Sequence, residues 1–105
     1  MQEQVRAFLK RRGRFPDPET ALLDLLAETG ELAKALLNAS DYGKKAPPAT
    51  PEIEEELGDA LYSLLTFAEA LGINAEAALQ AALKKYARRI AEHGTMGSQE
   101  TDRNP

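Results

Sequence analysis

Apolar residues recur along the chain at the three- and four-residue spacing of a helix face, with no alternating strand pattern. Val5, Phe8 and Leu9 stand at i, i+3 and i+4, which predicts a short amphipathic helix from Gln2 to about Arg12, stopped before Gly13. Asp17-Pro18-Glu19 starts a second helix: Asp accepts from free amides, Pro suits the first helical position and Glu complements the dipole. It should reach about Asn38, with Leu22, Leu25, Leu26, Leu32, Ala33, Leu36 and Leu37 as its apolar stripe. The turn-rich segment from Asn38 to Thr50 reads as a loop. Thr50-Pro51-Glu52 repeats the start signal and opens a third helix whose apolar positions include Ile53, Leu57, Leu61, Leu64, Leu65, Ala68 and Leu71, with Gly72 ending it. Asn74 can cap a fourth, in which Ala78, Leu79, Ala82, Leu83, Tyr86 and Ile90 form the expected buried stripe. The pattern predicts an all-α, four-helix bundle over residues 1–93, and the polar, unpatterned residues 94–105 are expected to be a disordered tail.

Acidic residues interrupt this patterning in a matched way. Glu28-Thr29-Gly30-Glu31 and Glu56-Leu57-Gly58-Asp59 each hold two carboxylates three residues apart with a glycine between them, on successive helices. Spacing of three sets each pair on one helical face. Leu25 and Leu32 flank Glu28 at i−3 and i+4, and Ile53 and Ala60 flank Glu56 likewise, so the acids lie within or beside the core stripes. Carboxylates inside a fold are paired or bound to metal, because desolvating an isolated one is very costly. No Lys or Arg set is placed to pair all four, so a divalent cation is the expected neutraliser. An all-oxygen donor set selects Mg²⁺, Mn²⁺ or Ca²⁺ over zinc or copper. Each glycine costs about 1 kcal/mol against Ala in a helix interior, and close approach of the two helices is the expected reason for Gly30 and Gly58. Asp24 and Glu52, each four residues before a paired acid, extend the same faces, with solvated charge as the competing reading.

Composition narrows the partners. A chain of 105 residues has a thin core, to which a partner subunit could add stability. Thirteen basic and seventeen acidic side chains give a net charge of −4, which disfavours nucleic-acid binding through clustered cations. Cysteine is absent, so disulfides, thiolate metal sites and a cysteine nucleophile are excluded. The sole histidine, His93, has Ile90 three residues before it, which speaks against the Glu-x-x-His pairs of a di-iron bundle. No apolar run approaches a membrane span and Met-Gln-Glu-Gln does not open a signal peptide, so a soluble, cytoplasmic chain without membrane partners is expected. Lys10, Arg11, Arg12 and Arg14 form a basic cluster, read either as solvated charge at a helix C-terminus or as a phosphate contact.

Leu26-Ala27-Glu28-Thr29-Gly30-Glu31-Leu32 and Glu55-Glu56-Leu57-Gly58-Asp59-Ala60-Leu61, with the later Gly72-Ile73-Asn74 turn, resemble the MazG-like nucleotide pyrophosphohydrolases of the all-α nucleotide pyrophosphatase superfamily. The likeness covers roughly residues 2–90. It implies a MazG-like bundle that assembles as a homodimer or homotetramer and hydrolyses a nucleoside triphosphate, often deoxy or non-standard, to the monophosphate and pyrophosphate. It further implies Mg²⁺, with Mn²⁺ as a substitute, held by Glu28, Glu31, Glu56 and Asp59, and Lys84 and Arg88 facing the phosphates. The chemistry expected is in-line attack of water, with Glu31 and Glu56 as candidate catalytic carboxylates and the proton acceptor open between Glu31 and Asp24. Tyr62 is a candidate base contact or a packing residue, and Phe15 and Tyr42 are loop alternatives. The family commonly carries a further Glu where this chain has Ala27, which leaves the general base and the number of metal ions open. Two other readings stand beside this one: a catalytically weak nucleotide-binding or interaction module, and a phosphoribosyl-ATP pyrophosphohydrolase, whose usual double Glu before the first motif is missing. Cleansing of the nucleotide pool is the candidate role.

Overall fold

The computed structural model describes residues 1–97, so most of the expected tail, 98–105, lies outside the described residues. Four helices follow one another: α1 (Gln2–Arg12), α2 (Pro18–Ala39), α3 (Pro51–Ala70) and α4 (Ala75–His93), with no strand among the described residues. The starts of α2, α3 and α4 are each set by a local side chain. The Asp17 carboxylate accepts from the Thr20 amide at 2.8 Å, and that bond holds its carboxyl below the ordinary range. Thr50 Oγ1 accepts from the Ile53 amide at 3.1 Å, and Asn74 Oδ1 from the Ala77 amide at 3.0 Å. Gly13 ends α1 at φ 70°, a left-handed conformation that leaves its amide free to bond back to Lys10 O at 3.0 Å. After α2, the loop begins as hydrogen-bonded turns around the buried Ser40, whose hydroxyl accepts from the Gly43 amide at 3.0 Å.

The chain divides into two compact units, Met1–Ile73 and Asn74–Pro105. In the first, α3 packs against both α2 and α1. The α2 positions sheltered from solvent are Ala21, Leu25, Glu28, Leu32, Ala35 and Ala39, spaced alternately four and three residues apart. This is the narrow seam of two helices packed nearly along their length. Ile53, Glu56 and Ala60 start the facing line on α3. The expected α2 stripe is therefore corrected: Leu22, Leu26, Ala33, Leu36 and Leu37 are exposed, Leu25 and Leu32 are half-buried, and the buried residues are Ala21 and Ala35. The reason is periodicity, since α2 meets α3 along a single line and the leucines that lie off that line are left to solvent. On α3, Ala60, Leu65 and Ala68 are buried as the helix passes between its two neighbours, while Leu57, Leu64 and Leu71 remain exposed.

α1 contributes Leu9, 2 % exposed, and is tied to the far end of α3 by polar bonds. Arg6 Nε and Nη2 donate to the two oxygens of Glu69 at 2.8 and 3.1 Å. Gln2 Nε2 donates to Glu69 Oε2 at 2.6 Å and to the Ile73 carbonyl at 2.7 Å. In the second unit, α4 buries none of its residues: Leu79, Leu83 and Ile90 are exposed and Tyr86 is half-buried. The expected buried stripe is thus absent, because α4 is the one helix among the described residues of its unit and no second layer there covers its apolar face. No described helix is long and apolar enough to cross a membrane.

The Arg6 hydrogen bond, supported by Gln2 and the Arg6 charge, holds the Glu69 carboxyl below the ordinary carboxylate range. A depressed acid stabilises the fold fully above its unfolded pKa, about 4.3 for Glu, and loses that contribution as pH falls through its folded value. Glu69→Gln is therefore expected to lower the thermal midpoint at pH 7, with the gap from the native chain closing in acid. Equal midpoints at pH 7 would contradict the role given to this cluster.

Candidate metal centre

The seam brings the acidic pairs together. Glu28 on α2 and Glu56 on α3 hold sheltered positions that packing would ordinarily give to apolar side chains, and Asp59 stands one turn beyond Glu56 at the exposed edge. One oxygen from each of Glu28, Glu56 and Asp59 lies within 4.8 Å of the others. Oxygens on opposite sides of one divalent cation, bound at roughly 2.0–2.6 Å, are about 4–5 Å apart, so the trio suits a hard ion after small side-chain rotations. Glu31, exposed and one turn past Glu28, falls outside the trio. Its charge still reaches Glu56.

The electrostatics point the same way. Partial burial raises the Glu56 carboxyl above its ordinary range, and the negative charges of Asp59, Glu28, Glu31 and Glu55 push it further. Among the described residues the ion pairs are Arg6–Glu69 and His93–Glu92, so no cationic side chain is ion-paired to the cluster. A divalent ion would supply that charge.

The glycine expectation is corrected. A Cβ added at Gly30 or Gly58 would meet nothing within 4 Å, so neither residue serves a close helix approach. Both lie off the seam line, which passes through Glu28 and Leu32 on one helix and Glu56 and Ala60 on the other.

Beside the trio lies a cavity of about 290 Å³, lined among others by Arg12, Arg14, Phe15, Asp24, Tyr62 and Thr66. Asp24 is one turn before Glu28 and Tyr62 one turn after Asp59, so the antiparallel pairing of α2 and α3 sets the cavity roughly 5 Å along the hairpin from the carboxylates. Tyr62 is both packed and available: its ring meets Phe8 edge-on at 5.8 Å and 86° while it lines the cavity. Phe15 lines the same space, whereas Tyr42 is 70 % exposed in the turn after α2. Arg11 and Arg12 lie over the Phe8 ring, 5.8 and 6.0 Å from its centre. Lys84 and Arg88 stand exposed one turn apart on α4, in the second unit. Sequence reasoning passed over Ser63 and Thr66, both buried. The signal for them was two hydroxyl residues in the midst of an otherwise apolar stripe.

Like-charge repulsion at Glu56 has a measurable sign. An acid raised by folding destabilises the fold when ionised, so Glu56→Gln should raise the thermal midpoint of the metal-free protein at pH 7, and this gain should vanish below the ordinary Glu pKa. Adding Mg²⁺ should raise the native midpoint and leave the variant nearly unmoved; the reverse order would count against the site. Because space is open at Gly58, Gly58→Ala should stabilise the protein by up to about 1 kcal/mol in denaturant unfolding. A loss of stability there would mean that the glycine has a packing role.

Comparison with known proteins places this geometry. No curated protein and no solved structure matches the chain. The MazG nucleotide pyrophosphohydrolase domain matches residues 17–93, from the capping residue of α2 to the last residue of α4. The match includes both carboxylate pairs and covers more than half of the chain, which therefore belongs to the MazG nucleotide pyrophosphohydrolase family.

Proposed function

We propose that the chain hydrolyses a nucleoside triphosphate, deoxy or non-standard forms included, to the monophosphate and pyrophosphate, with Mg²⁺ as its metal and Mn²⁺ as a substitute. The observation that carries this reading is the meeting of Glu28, Glu56 and Asp59 within 4.8 Å across the seam, with no cationic side chain ion-paired to them among the described residues. These three residues would hold the ion, with Glu31 beside them. When bound, such an ion supplies Lewis-acid polarisation of phosphate oxygens and a lowered pKa for water.

The chain's own groups have separate tasks. Water oxygen bonds to phosphorus, the bridge between the α and β phosphates breaks, and pyrophosphate leaves with the electron pair. Glu31, outside the trio, is free to accept the proton of that water, while Glu56 positions the reacting group. Lys84 and Arg88 would offset charge on the outer phosphates. Tyr62 bounds the base end. Assembly as a homodimer or homotetramer is part of the same proposal, supported by Leu23 and Leu26, 65 and 64 % exposed on α2, with no large side chain fully buried among the described residues. Cleansing of a cytoplasmic nucleotide pool is the role proposed for the activity.

The test is pyrophosphate release from a panel of canonical and modified NTPs and dNTPs, with Mg²⁺ and with EDTA, for the native chain and Glu56→Ala. The expected outcome is metal-dependent turnover, reduced in the variant by more than the roughly 10–100-fold typical of losing an outer-shell partner. Nucleotide binding without turnover by the folded native chain would instead support a catalytically weak binding module, a reading to which Ala27 lends some weight. Turnover confined to phosphoribosyl-ATP would support the histidine-pathway reading.

A further inference from the structure

We propose that the cavity beside the carboxylates is a nucleobase site selective for guanine, with Asp24 and the arginines Arg12 and Arg14 reading the base. The inference rests on the substrate reading above and extends it to base identity. Arg12, Arg14 and Phe15 precede the residues matched to the family, so they come from a part of the chain that the match does not cover.

Size and position come first. About 290 Å³ is at the lower end of ligand pockets and holds a base, not a whole triphosphate. The cavity lies one turn along the hairpin from the trio, so phosphates held at the carboxylates would leave the other end of a nucleotide facing it. Asp24 would repel a phosphate seated there, but a base is uncharged. Phe15 and Tyr62 offer aromatic surface to a planar ring.

The polar atoms then narrow the base. Asp24 shares the cavity with Arg12 and Arg14, yet no ion pair among the described residues joins them, so the lining offers both a carboxylate acceptor and guanidinium donors to a ligand. Thr66, 4 % exposed, also lines the cavity, and its hydroxyl is the one buried side-chain polar atom without a partner among the described residues. Native folds rarely leave such an atom unpaired, and a ligand that supplies the missing bond is one way to account for it. A carboxylate only accepts hydrogen bonds and a guanidinium only donates them. Guanine alone among the common bases presents two adjacent donors, N1–H and N2–H, beside two adjacent acceptors, O6 and N7. The first pair suits Asp24 and the second an arginine. Uracil and thymine offer one ring N–H between two carbonyls, which would face the carboxylate unfavourably.

The experiment measures binding of GMP, AMP, CMP and UMP in EDTA by calorimetry, for the native chain, Asp24→Asn and Thr66→Val, beside pyrophosphate release from the four dNTPs with Mg²⁺. The expected result is GMP bound roughly tenfold or more tighter than UMP, a ratio that collapses in Asp24→Asn, with a raised KM for the guanine nucleotide. Thr66→Val should weaken GMP binding while leaving the free protein as stable or more so, because it removes an unpaired buried hydroxyl. Absence of base preference in the native chain, or a preference that survives Asp24→Asn, overturns the proposal. So does an equal loss of turnover for all four dNTPs in Asp24→Asn, which would make Asp24 part of the chemistry. Asp24-dependent guanine binding without pyrophosphate release would keep this site and overturn the enzyme reading, whereas turnover indifferent to the base would do the opposite.

Discussion

Two helices meeting along a seam ordinarily bury apolar residues there, and this chain places Glu28 and Glu56 among the sheltered positions instead. The consequence is electrostatic. Partial desolvation and four neighbouring carboxylates raise the proton affinity of Glu56, and among the described residues no side-chain cation is ion-paired to the cluster. A fold tolerates such repulsion when a ligand relieves it. Membership of a pyrophosphohydrolase family gives the relief a chemical purpose, because an ion held by these oxygens can also meet phosphates.

Other features of the first unit follow from that seam. Its line takes in Ala21, Leu25, Leu32 and Ala35 on α2, and most of the leucines of that helix lie off the line and are left at the surface. α1 joins through Leu9 and through Arg6 and Gln2 at Glu69, and the segment after it carries Arg12, Arg14 and Phe15 to the side of the hairpin. The cavity between that segment and the two helices is thus fixed by the contacts that hold α1. Under the proposed base site, stability and substrate recognition share one support, so a variant that loosens α1 should weaken nucleotide binding as well as the fold.

Much of this was legible in the sequence where the physics is local. The starts of α2, α3 and α4 were readable from Asp17, Thr50 and Asn74 because a cap acts within one turn, and the same is true of Gly13 as the end of α1. The convergence of Glu28 with Glu56 and Asp59 was foreseeable from their spacing and flanking apolar residues. The stripes were not: hydrophobicity marks every leucine as a core candidate, whereas only those on the line that meets the neighbouring helix are sheltered. Gly30 and Gly58 misled for a related reason, since a glycine in a helix suggests contact only when it lies on the contact line. The cavity was invisible because it joins residues from three parts of the chain, and Thr66 gains meaning only through them.

The most direct test of the central claim is to follow backbone amide signals of ¹⁵N-labelled protein while adding substoichiometric Mn²⁺, whose unpaired electrons broaden nearby resonances. A metal centre in the seam predicts broadening that begins at residues flanking Glu28, Glu56 and Asp59 and disappears when excess Mg²⁺ competes for the site. Broadening that begins elsewhere, or that spreads evenly over the acidic surface and resists Mg²⁺, would contradict it.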